Sequence, residues 1–332
     1  MKHSLLNIAA VALLTGCSSG GSNSPATPAP APSASPSTPA AGQAGGSAPA
    51  AQTPGAAPTP AVNQVNPVSV GFYGQRRGQH AETAGWVNAA WECFWDDDNE
   101  AGAIENLRHG VPTTLDVYGY LYVVGNDSSG LRPDAEQRLR GLFDRLRAAG
   151  VLQHVAAVTP IDEPNIEFRY KGDSILEAAA LIRRVMADYP ELVATKLAVL
   201  FCTHRPMIGI EAFDIVYFDL YAIERGTDGG ENKDPVLVLN GWAERVDKML
   251  RPDQEMGLVP GGSDLNYLAP DVDAYVAKAR TFKRRVHILA FAGRLPNNPP
   301  KNLKSILDQP PLLAEYRAAF GTIVALRAMT AA

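Results

Sequence analysis

Ile215-Val216-Tyr217-Phe218-Asp219-Leu220-Tyr221-Ala222 is the most informative stretch of this chain. Val216, Phe218 and Leu220 share one parity; Tyr217, Asp219 and Tyr221 share the other. As a strand, it sets an apolar face against a polar one. Working outward, the chain from Pro67 onward repeats one unit, a short apolar or β-branched run followed by an amphipathic helical stretch. That is the signature of βα units and a parallel sheet. Eight runs qualify: 68–74, 87–94, 113–121, 155–162, 196–202, 215–222, 255–260 and 287–292. Helical stretches are clearest at 100–109, 133–149, 174–189, 236–250, 272–282 and 312–328, and the first and fifth connections are short or irregular. Ser174 with Glu177 forms a capping box, Pro133 suits a first helical turn, and Gly150 suits a helix stop. Eight units within residues 67–332 fit an α/β fold of the (β/α)8 TIM-barrel type, which takes about 250 residues. A doubly wound open sheet is the alternative, weakened because no Gly-x-Gly-x-x-Gly or phosphate loop follows the first run.

In such a barrel the outward strand faces meet helices and the inward faces line the lumen, whose upper end forms the active site. Alternation therefore nominates inward groups. In the sixth run these are Tyr217, Asp219 and Tyr221. The third gives Thr114, Asp116, Tyr118 and Tyr120, the second Asn88 and Glu92, and the first Ser69 and Tyr73. Cys93 and Cys202 are read on the helix side. A lumen serving stability alone would be filled by Val, Ile and Leu. Several buried carboxyls near one another must be paired, protonated or useful.

The amino-terminal fifth of the chain is different. No charged residue stands between Lys2 and Arg76, and ten of the 26 prolines fall between Pro25 and Pro60. Residues 18–66 have too little apolar surface to offset chain entropy, so a disordered linker spanning about 40 Å is expected there. Before it, Lys2 precedes the apolar run Leu5–Leu14, which is too short to span a bilayer permanently. Leu14-Thr15-Gly16-Cys17 resembles the lipobox of bacterial lipoproteins. The resemblance implies a signal peptide over 1–16, lipidation of Cys17, a lipidated linker over 17–66 and a folded domain over 67–332. Ser18, where inner-membrane retention signals usually have Asp, points to the outer membrane of the cell envelope.

The fourth run ends Thr159-Pro160-Ile161-Asp162-Glu163-Pro164-Asn165, bringing two carboxyls to the carboxyl end of a strand. This is similar to the strand-four Asn-Glu-Pro segment of the clan A (β/α)8 glycoside hydrolases. The resemblance implies that Glu163 is the general acid/base and that Asp162 takes the place of a substrate-binding Asn. Glycosidic cleavage needs one carboxylic acid at the leaving oxygen and a carboxylate opposite. Repulsion from Asp162 would raise the pKa of Glu163 toward the working range of an acid. Asn165, Tyr73, Trp91, Trp95, Tyr118, Tyr217 and Tyr221 are candidate sugar contacts, with Asn88, Glu92 and Asp116. The chain departs from the family pattern at strand seven. There the nucleophilic Glu is expected, yet Met256-Gly257-Leu258-Val259-Pro260-Gly261-Gly262 carries no acid before Asp264. The second carboxyl is therefore sought at Asp264, Asp219, Asp116 or Glu92.

The net charge of -5 and the lack of basic blocks argue against nucleic acid as a partner. The histidines show no zinc spacing, and no nucleophile elbow occurs. No cofactor and no metal is expected, and the chain is expected to act as a monomer. These readings converge on a surface lipoprotein whose barrel cleaves or binds a glycan. The alternative is a non-catalytic carbohydrate-binding or envelope-structural lipoprotein with a degenerate barrel.

Overall fold

The computed structural model describes residues 68–74, 79–93, 97–123, 130–165, 174–202, 206–220, 235–260, 272–291 and 306–331. Eight strands lie close to the expected runs: β1 (Val68–Tyr73), β2 (Ala89–Cys93), β3 (Thr113–Asp116), β4 (Val155–Thr159), β5 (Lys196–Cys202), β6 (Ile215–Leu220), β7 (Glu255–Pro260) and β8 (Val286–Phe291). They close into one barrel in chain order, β1 pairing with β8, and every pairing is parallel. The connections carry α1 (Gln79–Thr83), α2 (Asp97–Leu107), α3 (Tyr118–Leu121), α4 (Ala135–Ala148), α5 (Ser174–Met186), α6 (Pro235–Met249), α7 (Val272–Ala279) and α8 (Pro310–Ala331). The fold is a (β/α)8 TIM barrel, as the spacing of the runs predicts.

Alternation along each strand divides the core into two. Val70, Phe72, Leu115, Val158, Val199, Val216, Phe218, Leu258 and Ile288 point outward into a continuous core under the helices. Helix termination also follows local chemistry. The amide of Gly150, at φ 70°, donates to the Arg147 carbonyl (2.9 Å) and that of Val151 to Leu146 (3.0 Å). This pair of bonds closes α4 in a Schellman motif, which a glycine's freedom at positive φ permits.

The second core lies inside the ring and is aromatic where a purely structural lumen would be aliphatic. Phe291, Tyr73, Trp91 and Tyr217 follow one another with centroid separations of 5.6, 5.0 and 5.2 Å. None of the four is more than 4% exposed. Ring pairs of this geometry add about 0.5–1.5 kcal/mol each beyond burial. Room for the Tyr217 ring comes from the facing strand, since a Cβ on Gly257 would lie 1.8 Å from Tyr217 Cδ1. Below the rings, at the amino-terminal ends of the strands, His287 Nε2 meets Glu255 Oε2 at 2.8 Å, and Lys196 binds the other Glu255 oxygen. Burial pushes the Glu255 carboxyl up, but His287 and Lys196 outweigh it and hold the group down to about 2.

Candidate active site

Regular pairing of β4 stops at Thr159, and the chain then leans on β5 through residues 160–165. Asp162 forms a parallel bridge with Leu200, and the Glu163 amide donates to the Leu200 carbonyl (3.0 Å). The Asn165 side chain completes the seam: its Nδ2 donates to the Cys202 carbonyl (2.8 Å) and its Oδ1 accepts from the Cys202 amide (3.0 Å). One carboxamide thus occupies both backbone groups of the last β5 residue. Pinned on either side, Glu163 adopts φ 45°, the single positive φ of a non-glycine among the described residues. Such a conformation costs roughly 1 kcal/mol or more and persists where the surroundings over-determine it, as at many functional sites.

Around Glu163 the strand ends bring further acids. Asp219 ends the lumen face of β6, in register with Cys202 of β5 and Val259 of β7. Its carboxyl feels the negative charges of Glu163 and Asp162. Asp116 ends β3 at the same rim, in register with Cys93 and Thr159, and its Oδ1 accepts from the Tyr118 amide (3.0 Å). Asp116, Asp162, Glu163 and Asp219 are each at most 7% exposed. Burial, then Glu163 and Asp162, push the Asp219 carboxyl well above the usual carboxylate range. Directly below lies the aromatic pile, so the acids stand over an apolar floor.

Several nominated residues lie elsewhere. Glu92 points out of the ring: it meets His80 Nε2 at 3.0 Å and accepts from Asn106 Nδ2 (2.9 Å), beneath α1 and α2. On β2 it is Trp91 and Cys93 that face the lumen, reversing the expected parity. Asn88 precedes β2 and accepts the Val70 amide through Oδ1 (2.7 Å), holding two strand starts together at the opposite end from the acids. Tyr118 is not a strand residue. β3 ends at Asp116, and Tyr118 begins α3, packed in the outer core with its ring 5.7 Å from that of Tyr122. Tyr120 likewise leaves the lumen, its hydroxyl donating to Glu100 (2.6 Å), which also binds Arg145. Asn165 reaches the site but is spent on the β5 backbone. Tyr73 and Tyr217 do face inward, yet within the aromatic pile: Tyr217 lies between Trp91 and His287, centroids 5.2 and 5.7 Å away. Neither offers a free ring face.

Cys202, expected on the helix side, is a buried free thiol on the lumen face beside Asp219. Its parity with Ala198 and Leu200 carries that signal. Asp264, Tyr221, Trp95 and Cys17 lie outside the described residues, as do the proposed leader and linker. Among the described residues, no group of three or more His, Cys, Asp or Glu side chains is arranged to hold a metal ion.

No family model matches the chain, and no curated protein does. Solved structures do. A broad-specificity GH5-4 endoglucanase from Ruminococcus champanellensis, with bound cellotriose, aligns with TM-score 0.50 at 11% identity over 73% of this chain and 84% of its own. A GH2 β-galacturonidase from Eisenbergiella tayi, bound to galacturonate, aligns at 0.48 and 10% identity over 76% of this chain and 51% of its own, so this chain spans about half its length. A glycoside hydrolase family 5 enzyme from Prevotella bryantii B14 gives 0.47 and 10% identity over 75% and 87%. The architecture is thus the (β/α)8 fold found in glycoside hydrolases. At these identities the likeness concerns the fold.

Proposed function

We propose that the barrel acts on carbohydrate, with Glu163 supplying the proton to a glycosidic oxygen and Asp162 beside it as a sugar contact. One observation carries the reading. Four buried carboxyls stand at or just beyond the carboxyl-terminal ends of β3, β4 and β6, and the backbone is strained at the one expected to be the acid. Buried acids are costly, and a site that must donate a proton and stabilise developing positive charge on a sugar ring gives that cost a use. The glycoside hydrolases that share the fold act on sugars, which supports the substrate class; the particular glycan and linkage are left to experiment. The binding-only alternative is favoured by one feature, the lack of an acid at the carboxyl-terminal end of β7, which reads Leu258-Val259-Pro260.

The deciding experiment is a polysaccharide screen of the protein and its Glu163→Gln variant. Cleavage lost by at least about a hundredfold in the variant, with glycan binding kept, is the expected result. Cleavage undiminished in the variant would remove Glu163 from the reaction, and binding without cleavage in the parent protein would favour the non-catalytic alternative. We also propose that the chain is held at the cell envelope through Cys17, with residues 18–66 as tether. The lipobox resemblance supports this, and Ser18 points to the outer membrane.

A further inference from the structure

On the outer side of β2, three side chains from three elements close on one another. His80 of α1 and Asn106 of α2 are fully buried, and Glu92 is 4% exposed. Asn106 grips the histidine twice: its carbonyl oxygen stands 3.0 Å from His80 Nδ1, and its Oδ1 accepts the His80 amide at 3.4 Å. Its Nδ2 donates to Glu92 Oε1 (2.9 Å), and that same oxygen is 3.0 Å from His80 Nε2. With five residues, α1 is too short to stand as a helix by itself, so its place depends on such contacts.

These distances count protons. A carbonyl oxygen only accepts, so His80 Nδ1 carries a hydrogen. If the ring were otherwise neutral, the bare Nε2 would face an ionised Glu92 oxygen, lone pair against lone pair. The contact is attractive only with one further proton. Nε2 has no well-directed hydrogen bond, so charge is what joins it to Glu92, and that places the proton on the ring. Burial pushes the Glu92 carboxyl up against the pull of His80 and Asn106, so it too resists standing ionised alone. Among the described residues, the charge acting on Glu92 is that of His80. On α1 the other charged side chain, Glu82, is exposed; on α2, Glu105 and Arg108 lie toward solvent and Glu100 is bound to Arg145. We propose that His80 and Glu92 hold one buried proton between them and form a pH-sensitive latch that fastens α1 to β2 and α2, released when that proton leaves. The latch does not depend on the carbohydrate reading.

Urea unfolding of the full chain and of Glu92→Gln between pH 5 and 8 tests this. The glutamine keeps an acceptor for Asn106 and can donate to Nε2, so the ring no longer needs its second proton. The folded parent protein keeps a proton that the unfolded chain gives up above about pH 6.5. The folded variant buries a neutral ring that the unfolded chain protonates below that value. In both halves of the range the parent protein therefore loses ground as pH rises. The ratio of its folding constant to that of the variant is expected to fall by up to tenfold per pH unit, until the folded pair releases its proton. Parallel curves overturn the proposal. Should Glu92→Gln not fold, the assigned ring-nitrogen resonances of His80 and carboxyl carbon resonance of Glu92 decide at pH 7.5. A proton beyond that on Nδ1, on Nε2 or on the carboxyl, supports the pair; a neutral ring beside an ionised carboxyl refutes it. Hydrogen exchange reads the release. Protection of the His80 and Ala84 amides in the parent protein is expected to fall with rising pH relative to that of α4; protection that falls only in step with α4 would refute the latch.

Discussion

Asn165 is the residue on which the placement of the acids turns. Its amide satisfies the amide and carbonyl of Cys202 together, so Asn165→Ala leaves two buried backbone groups without their partner. Each orphaned group costs about 1–3 kcal/mol, which predicts a loss of roughly 2–4 kcal/mol in urea unfolding. Asn165→Asp keeps the acceptor but removes the donor and adds another acid to the cluster. It is expected to be the worse variant at pH 7 and to recover toward pH 4, as the new carboxyl takes up a proton. Sequence placed Asn165 at the site because it follows Asp-Glu-Pro. What it binds was not legible there, because the partner is a backbone 37 positions further along the chain.

At the level of strands and helices, periodicity served well wherever the outward face was strongly apolar. β6 reads correctly because Val216 and Phe218 can only face helices, leaving Tyr217 and Asp219 to the lumen. It failed on β2, where the helix layer supplies polar partners. His80 and Asn106 make an outward Glu92 affordable, and neither is visible in a period-two pattern. In β3 the alternation runs past the end of the strand into α3, so Tyr118 and Tyr120 keep the parity but lose the direction. The foot of the barrel was not foreseen either, since Lys196, Glu255 and His287 meet there from three strands. Glu255 is held down to about 2, below its unfolded value near 4.3, so it adds stability that is present above pH 4.3 and lost as pH falls toward 2. Glu255→Gln should flatten the acid limb of a stability–pH curve measured by urea unfolding, and an unchanged limb would show that the foot is not a charged cluster.

For the molecule as a whole, the barrel closes on itself through β1 and β8, and β1 begins at Val68, after the region proposed as leader and tether. Removal of residues 1–66 is accordingly expected to leave the thermal midpoint within about 2 °C of the full chain, measured by circular dichroism. A larger fall would mean that the segment is part of the fold. Replacing Cys17 by Ala should move the protein from the membrane fraction to the soluble one if the proposed anchor operates. Among the described residues, no helix is long and apolar enough to cross a membrane.

The four rings packed across the lumen have a consequence for traffic. They plug the barrel beneath the acids, so no polymer can thread it from end to end. On the proposed carbohydrate reading, a long chain has to arrive and depart on the same side, across the rim formed by the strand ends.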